Sequence, residues 1–264
     1  MKSRISSKFD ELKKKGQKAL ITFITAGDPS LKVTEQLVHT LEGAGADIIE
    51  LGVPFSDPLA DGPTIQASHV RALKKDVSVD DVLKLIKKIR TKSNIPIALM
   101  ISYNLIVKYG PEKFIQDSIK AGADGIISPD LPTDEASAFV NKSKGIDTIF
   151  LAAPTSTDER LKSIAESSTG FIYLISLLGI TGARASLAQD VASNIRRIRK
   201  YSKMPVAVGF GVSKPAQVAE ISRVADGVIV GSAIVDIVAK NSGKKTLLTK
   251  LAAYVARMKK ATNA

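Results

Sequence analysis

The sequence predicts an α/β protein in which eight parallel strands alternate with helices and close into a (β/α)8 barrel, preceded by one additional N-terminal helix. Three observations carry this. Short apolar runs alternate with amphipathic helical patterns from end to end. The apolar runs are β-branched and nearly uncharged, as strands are when both faces are covered. One punctuation recurs where a helix hands over to a strand: Ala44-Gly45-Ala46-Asp47, Ala121-Gly122-Ala123-Asp124 and Val224-Ala225-Asp226-Gly227. Together they favour a TIM barrel over an open doubly wound sheet. No composition shift divides the 264 residues, so residues 1–264 are expected to form a single barrel domain.

In order, residues 5–15 read as an amphipathic helix closed by Gly16, and 19–25 as a buried strand. A helix over 31–42 leads to a strand over 47–51, and a proline-initiated helix spans 63–73. Helix 79–91 precedes strand 96–101, and helix 111–120 precedes strand 125–128. Helix 134–144 precedes strand 148–151, helix 158–167 strand 171–175, helix 187–201 strand 205–208, and helix 215–223 strand 227–230. A short helix starts at Ser232, and 246–260 closes the chain.

Composition excludes several classes. Cysteine is absent, which removes disulfides, thiolate nucleophiles and Cys-based metal sites. The charged N-terminus lacks the apolar core of a secretory signal, and the longest uncharged run, 167–183, is broken by Gly, Ser and Thr. A cytoplasmic protein without membrane association is the expectation. The net charge of +12 admits nucleic-acid binding, but the basic residues recur at helical spacing and no aromatics interleave with them. A lysine-rich outer helical surface is the favoured reading, with no nucleic-acid partner.

Barrel enzymes place reactive groups at the C-terminal ends of the strands. The second strand end stands out: DIIELGVPFSDPLADGPTIQ, residues 47–66, sets Glu50 in a buried run ahead of a loop stiffened by Pro54, Pro58, Gly62 and Pro63 and bearing Asp57 and Asp61. An inward carboxyl with no matching strand Lys or Arg is costly unless it is used, which points to proton transfer by Glu50. Asp61 reads equally as a helix cap or a catalytic acid, and Asp57 as a turn former or a functional acid. Phe55 and Leu59 either fold inward or form an apolar patch for a partner. Tyr173 is either core or a hydroxyl helper.

Gly182, Gly211 and Gly231-Ser232 follow neighbouring strands, with a helix beginning at Ser232, and so predict a phosphate site. The two histidines, His39 and His69, fall in helical patterns distant from strand ends, which argues against a His-ligated metal. No strand holds a lysine for Schiff-base chemistry. Carboxylate acid–base chemistry on a phosphorylated substrate remains.

With those residues in hand, the chain resembles the tryptophan synthase alpha subunit family. The stretch ELGVPFSDPLADGPTIQ carries the resemblance most specifically. Support comes from Phe23-Ile24-Thr25-Ala26-Gly27-Asp28-Pro29, Asp130-Leu131-Pro132, Ala153-Pro154-Thr155, Gly179-Ile180-Thr181-Gly182, Gly209-Phe210-Gly211 and Gly231-Ser232-Ala233-Ile234-Val235. The resemblance implies a carbon–carbon lyase of tryptophan biosynthesis that cleaves indole-3-glycerol phosphate to indole and glyceraldehyde 3-phosphate. It implies an α2β2 complex in which the beta subunit uses pyridoxal phosphate, with no cofactor and no metal in this subunit.

By the same resemblance, Glu50 and Asp61 match the catalytic pair. Phe23, Met100 and Tyr173 match the walls of the indole site, and Gly182, Gly211, Gly231 and Ser232 the phosphate cradle. Thr181 matches the mobile sixth loop. Pro54 and Asp57 lie in the loop that communicates with the beta subunit. The sequence departs from the family's pattern at Ser102, where an aromatic wall is common, at Leu177, and in a short segment after Gly182. Another phosphate-binding barrel isomerase or synthase would explain the glycines but not the acidic loop.

Overall fold

The computed structural model describes residues 2–176, 187–209 and 211–263. Helix α1 (Arg4–Lys14) is followed by β1 (Ala19–Thr25), α2 (Leu31–Gly43), β2 (Ile48–Gly52), α3 (Pro63–Leu73), α4 (Val79–Ile89) and β3 (Ile97–Met100). Then come α5 (Tyr103–Tyr109), α6 (Pro111–Ala121), β4 (Gly125–Ile127), α7 (Ser137–Lys142), β5 (Asp147–Ile149), β6 (Leu151–Ala152), α8 (Asp158–Ser167) and β7 (Ile172–Ile175). The last elements are α9 (Leu187–Arg199), β8 (Val206–Gly209), α10 (Pro215–Ser222), β9 (Gly227–Val230), α11 (Ser232–Asn241) and α12 (Leu247–Ala261).

The strands form one parallel sheet in the order β5-β4-β3-β2-β1-β9-β8-β7-β6. Its two end segments, β5 and β6, are successive pieces of a single stave. The break falls at Phe150, whose N–H turns to the Ser168 hydroxyl at 3.4 Å while its carbonyl accepts from Tyr173 N–H at 3.1 Å. The ring therefore closes through Phe150, giving the eight-stave (β/α)8 barrel that the sequence predicts. The predicted fifth strand is real but interrupted.

Strand alternation sorts the side chains into two layers. Ile21, Ile48, Ala98, Ile127, Ile149, Tyr173, Ala207 and Ile229 fill the barrel interior. The intervening residues, such as Leu20, Ile49, Leu99 and Val208, pack outward against the helices. Ile5, Phe9 and Leu12 of α1 plug the bottom of the barrel, with the Phe9 and Phe171 rings 5.7 Å apart. Gly125 makes room for that plug, since a β-carbon there would lie 2.9 Å from Ile5 Cδ1.

The recurring punctuation has a common structural job. Asp47, Asp124 and Asp226 each stand at the foot of a stave and accept an N–H at the start of the neighbouring stave: Leu20 at 2.7 Å, Ile97 at 2.8 Å and Val206 at 2.9 Å. Each is also paired with a helix cation, Lys259, Arg90 and Arg199 respectively. A buried strand end that would leave an N–H unsatisfied is thereby closed.

Two helices differ from expectation. The chain over 103–109 is helical, where the sequence assigns no element. The α5 N-cap, Ser102, makes no side-chain cap bond, and Asp130 from the β4 loop accepts the Tyr103 N–H at 2.8 Å instead. Helix α7 covers Ser137–Lys142 only, because residues 131–136 are spent on turns closed by Glu135 N–H to Pro132 O and Ala136 N–H to Thr133 O. Among the described residues no helix is long and apolar enough to cross a membrane.

Candidate active site

Glu50 lies in mid-β2, in register with Phe23 on β1 and Ala98 on β3. Period-two alternation turns it into the barrel, where it is 1% exposed and its Oε1 has no hydrogen-bond partner among the described residues. Burial in this apolar interior pushes its carboxyl up to about 8. At neutral pH the resting group is the neutral acid.

Asp61 reaches the same space from the loop after β2. It does not cap α3: that helix has Gly62 as N-cap and no side-chain cap bond. The loop fixes Asp61 through its backbone. Its N–H donates to Pro58 O at 3.0 Å, and its carbonyl accepts from Gln66 Nε2 at 2.8 Å. Its carboxylate faces His69 Nε2 at 3.3 Å. Of the two readings the sequence leaves open for Asp61, the cap is thus removed.

A cavity of about 280 Å³ is lined by Phe23, Glu50, Asp61, Met100, Tyr173 and Ile229, and further along by Gly211, Gly231 and Ser232. Tyr173 is fully enclosed there. Burial first, then the nearby negative charges of Glu50 and Asp61, hold its phenol well above its ordinary range. At the glycine end, α11 starts at Ser232 with no side-chain cap, and Gly211 sits at a φ of 76°. A helix N-terminus beside a left-handed glycine offers free N–H groups and a positive field to an anion. The N-terminus of α3, Pro63 to Ile65, also lines this cavity.

A second cavity of about 180 Å³ shares Phe23, Asp61 and Met100 and runs under the acidic loop past Phe55, Asp57, Leu59 and His69 to Ser102 and Asp130. Ser102, not Tyr103, faces it. Ser102 Oγ donates to Asp130 at 2.6 Å, while the Tyr103 ring turns away onto Phe139 at 5.9 Å. Leu59 is 84% exposed at the mouth.

Glu50, Asp61, Phe23, Met100, Tyr173, Gly211, Gly231 and Ser232 are thus brought around one cavity, and Asp57 lies on its neighbour. Pro54 is buried and lines neither. Thr181, Gly182 and Leu177 lie outside the described residues. His69, which the helical pattern sets apart from the strand ends, is in fact buried at the site. The available signal was a polar pair, Ser68-His69, on the buried face of α3. Among the described residues no group of three or more His, Asp or Glu could hold a metal. The two cavities together offer a buried acid, a facing carboxylate, an apolar slot and an anion cradle.

Comparisons with known proteins give the family. Residues 9–263 match the family profile described as tryptophan synthase alpha chain. The chain is 50% identical over 258 residues to the tryptophan synthase alpha chain of Geotalea daltonii, covering 97% of each, and 48% identical over 259 residues to that of Thermoanaerobacter sp., covering 97% of this chain and 98% of the relative. The crystal structure of tryptophan synthase subunit alpha from Legionella pneumophila superposes with a TM-score of 0.90 at 35% identity, over 100% of this chain and 99% of that one. A chain of the Mycobacterium tuberculosis tryptophan synthase structure superposes with a TM-score of 0.90 at 36% identity over 100% of both. This chain belongs to the tryptophan synthase alpha chain family.

Proposed function

We propose that Glu50 and Asp61 divide the chemistry by which this lyase subunit cleaves indole-3-glycerol phosphate to indole and glyceraldehyde 3-phosphate. The observation that carries the assignment is the buried carboxyl of Glu50, its Oε1 without a partner among the described residues, inside a cavity that ends in an anion cradle. The acid form delivers its proton to indole C3. The resulting carboxylate takes the proton of the glycerol hydroxyl on the adjoining carbon. The C3–carbon bond then breaks, its electron pair returns to the ring, and the hydroxyl carbon leaves as the aldehyde. Glu50 ends as it began, protonated, so the proton count closes without a cofactor.

Protonating C3 places positive charge on the ring nitrogen, and Asp61, across the cavity, accepts the indole N–H and balances that charge. Phe23, Met100 and Ile229 supply the apolar walls, and Tyr173 closes the floor. Gly211, Gly231 and Ser232 hold the phosphate through backbone N–H groups.

The partner in this reading is a beta subunit, in an α2β2 assembly whose pyridoxal phosphate sits in the beta chain. The related M. tuberculosis assemblies are tryptophan synthases, one of them in an aminoacrylate-bound form. The exposed Leu59, together with Asp57 beside the second cavity, offers a docking face for that partner. The protein is cytoplasmic in this reading.

The test is indole release from indole-3-glycerol phosphate by wild type and Glu50→Gln, with and without the beta partner. The assignment expects turnover that the partner raises and the substitution abolishes. No indole from wild type with its partner would refute the lyase. Turnover surviving in Glu50→Gln would move the proton shuttle to another group.

A further inference from the structure

One imidazole bridges the two ends of the acidic loop. At the loop's start, Phe55 N–H donates to His69 Nδ1 at 3.0 Å. At its end, Asp61 Oδ2 lies 3.3 Å from His69 Nε2. The ring is 5% exposed, so water does not compete for either nitrogen. An Nδ1 that accepts a hydrogen bond carries no proton, which leaves the proton of the neutral ring on Nε2, facing Asp61.

The ring is held in turn by the rotation of α3. Ser68 Oγ lies 2.6 Å from Thr25 Oγ1 and donates to Ile65 O, and Arg71 forks onto the buried Asp28 at 2.9 and 2.8 Å. Two polar attachments on one face of α3, Ser68 to Thr25 and Arg71 to Asp28, therefore pin the helix to the end of β1 and the turn after it and aim the imidazole at the loop.

We propose that His69 is a positioning residue for Asp61: its Nε2–H holds one carboxylate oxygen and leaves the other directed at the substrate N–H. The proposal rests on the assignment of Asp61 above. A carboxylate on a loop has two free torsions, and a donor on one oxygen restricts that freedom in the filled site. At 3.3 Å the two atoms are within ion-pair reach without hydrogen-bond alignment, as catalytic contacts are in many unliganded sites, and the bond forms when the cavity fills.

Two substitutions separate this role from simple stapling of the loop. Glutamine places an amide N–H where Nε2 stands and keeps a donor for Asp61. Asparagine places a carbonyl where Nδ1 stands and keeps the acceptor for Phe55. Positioning predicts that His69→Asn lowers kcat by about 10- to 100-fold with KM nearly unchanged, and that His69→Gln recovers most of it. The reverse order, or equal losses, would overturn the proposal. Asp61→Asn is measured alongside. If it retains turnover, the Asp61 assignment itself fails; if it loses turnover while His69→Asn does not, only the positioning role fails.

A readout independent of activity comes from nitrogen NMR, since the chain has two histidines. His69 is expected as the Nε2–H tautomer, with a signal that moves in Asp61→Asn. An Nδ1–H tautomer, or an Nε2 signal indifferent to that substitution, would overturn the proposal.

Discussion

Gly209 on β8 gives the Tyr173 hydroxyl the space it occupies: a β-carbon at 209 would lie 2.6 Å from that oxygen and 3.0 Å from Ile229 Cβ. The glycine is thus a cavity-shaping residue as well as a strand end. Gly209→Ala is expected to cost about 1–3 kcal/mol and to push the phenol toward Glu50, narrowing the substrate space. Denaturant unfolding and indole release check both effects. Adding Tyr173→Phe removes the nearest clashing atom and should restore part of the stability. No recovery in the double variant would place the strain on the Ile229 side.

Glu50 makes stability depend on pH in an unusual direction. Its carboxyl sits at about 8 in the folded chain against 4.5 for the ordinary group. Between those values the folded state holds a proton that the unfolded state has released, so stability falls as pH rises and the full penalty is present above about 8. Its size is on the order of 5 kcal/mol. Glu50→Gln carries no such charge. Its stability relative to wild type should therefore be level near pH 4, climb through neutrality and flatten above pH 8. Urea unfolding at several pH values measures the difference, and a difference that does not vary with pH would mean that Glu50 is not buried as an acid.

The Arg71–Asp28 fork should matter for both fold and site. Asp28 is 3% exposed, whereas the Arg71 side chain is 36% exposed, so solvent tempers the loss of the pair. Arg71→Ala is expected to cost about 1–3 kcal/mol, chiefly by stranding the Asp28 carboxylate. Because α3 also carries His69, kcat should fall with it. Thermal unfolding and turnover on one sample test the pair, and a stability loss without a kcat effect would uncouple α3 from the site.

Most of the barrel was legible because its strands are buried on both faces and each helix carries one apolar stripe. Val82, Leu83, Leu85, Ile86 and Ile89 on α4 are an example: the stripe that predicts the helix is the buried face. What escaped was nonlocal. Helix α5 has seven residues, too few for a periodic signal, and its first N–H is satisfied by Asp130 from another loop. The break at Phe150 depends on Ser168, eighteen residues away. At the site, Glu50 was readable because an acid in a buried strand contradicts its surroundings. His69 left only a faint mark, because a Ser-His pair in a helix contradicts nothing until the fold shows that face to be buried. Only the fold brings Phe55, Asp61 and His69 together.

The plug at the bottom of the barrel provides a prediction of the opposite kind, stability without chemistry. Ile5 is fully buried among the interior side chains, at the end of the barrel away from Glu50 and the glycine cradle. Its neighbours Ile149 and the β4 backbone at Gly125 belong to separate staves, which cannot both move in to fill a void. Ile5→Ala should therefore leave a cavity and cost about 2–5 kcal/mol. The site is built on the far strand ends, so kcat and KM should stay within about twofold at temperatures where the variant is folded. Urea unfolding and steady-state turnover measured together decide it. A marked fall in kcat in a fully folded variant would show that α1 sets the geometry of the barrel mouth as well as sealing its floor.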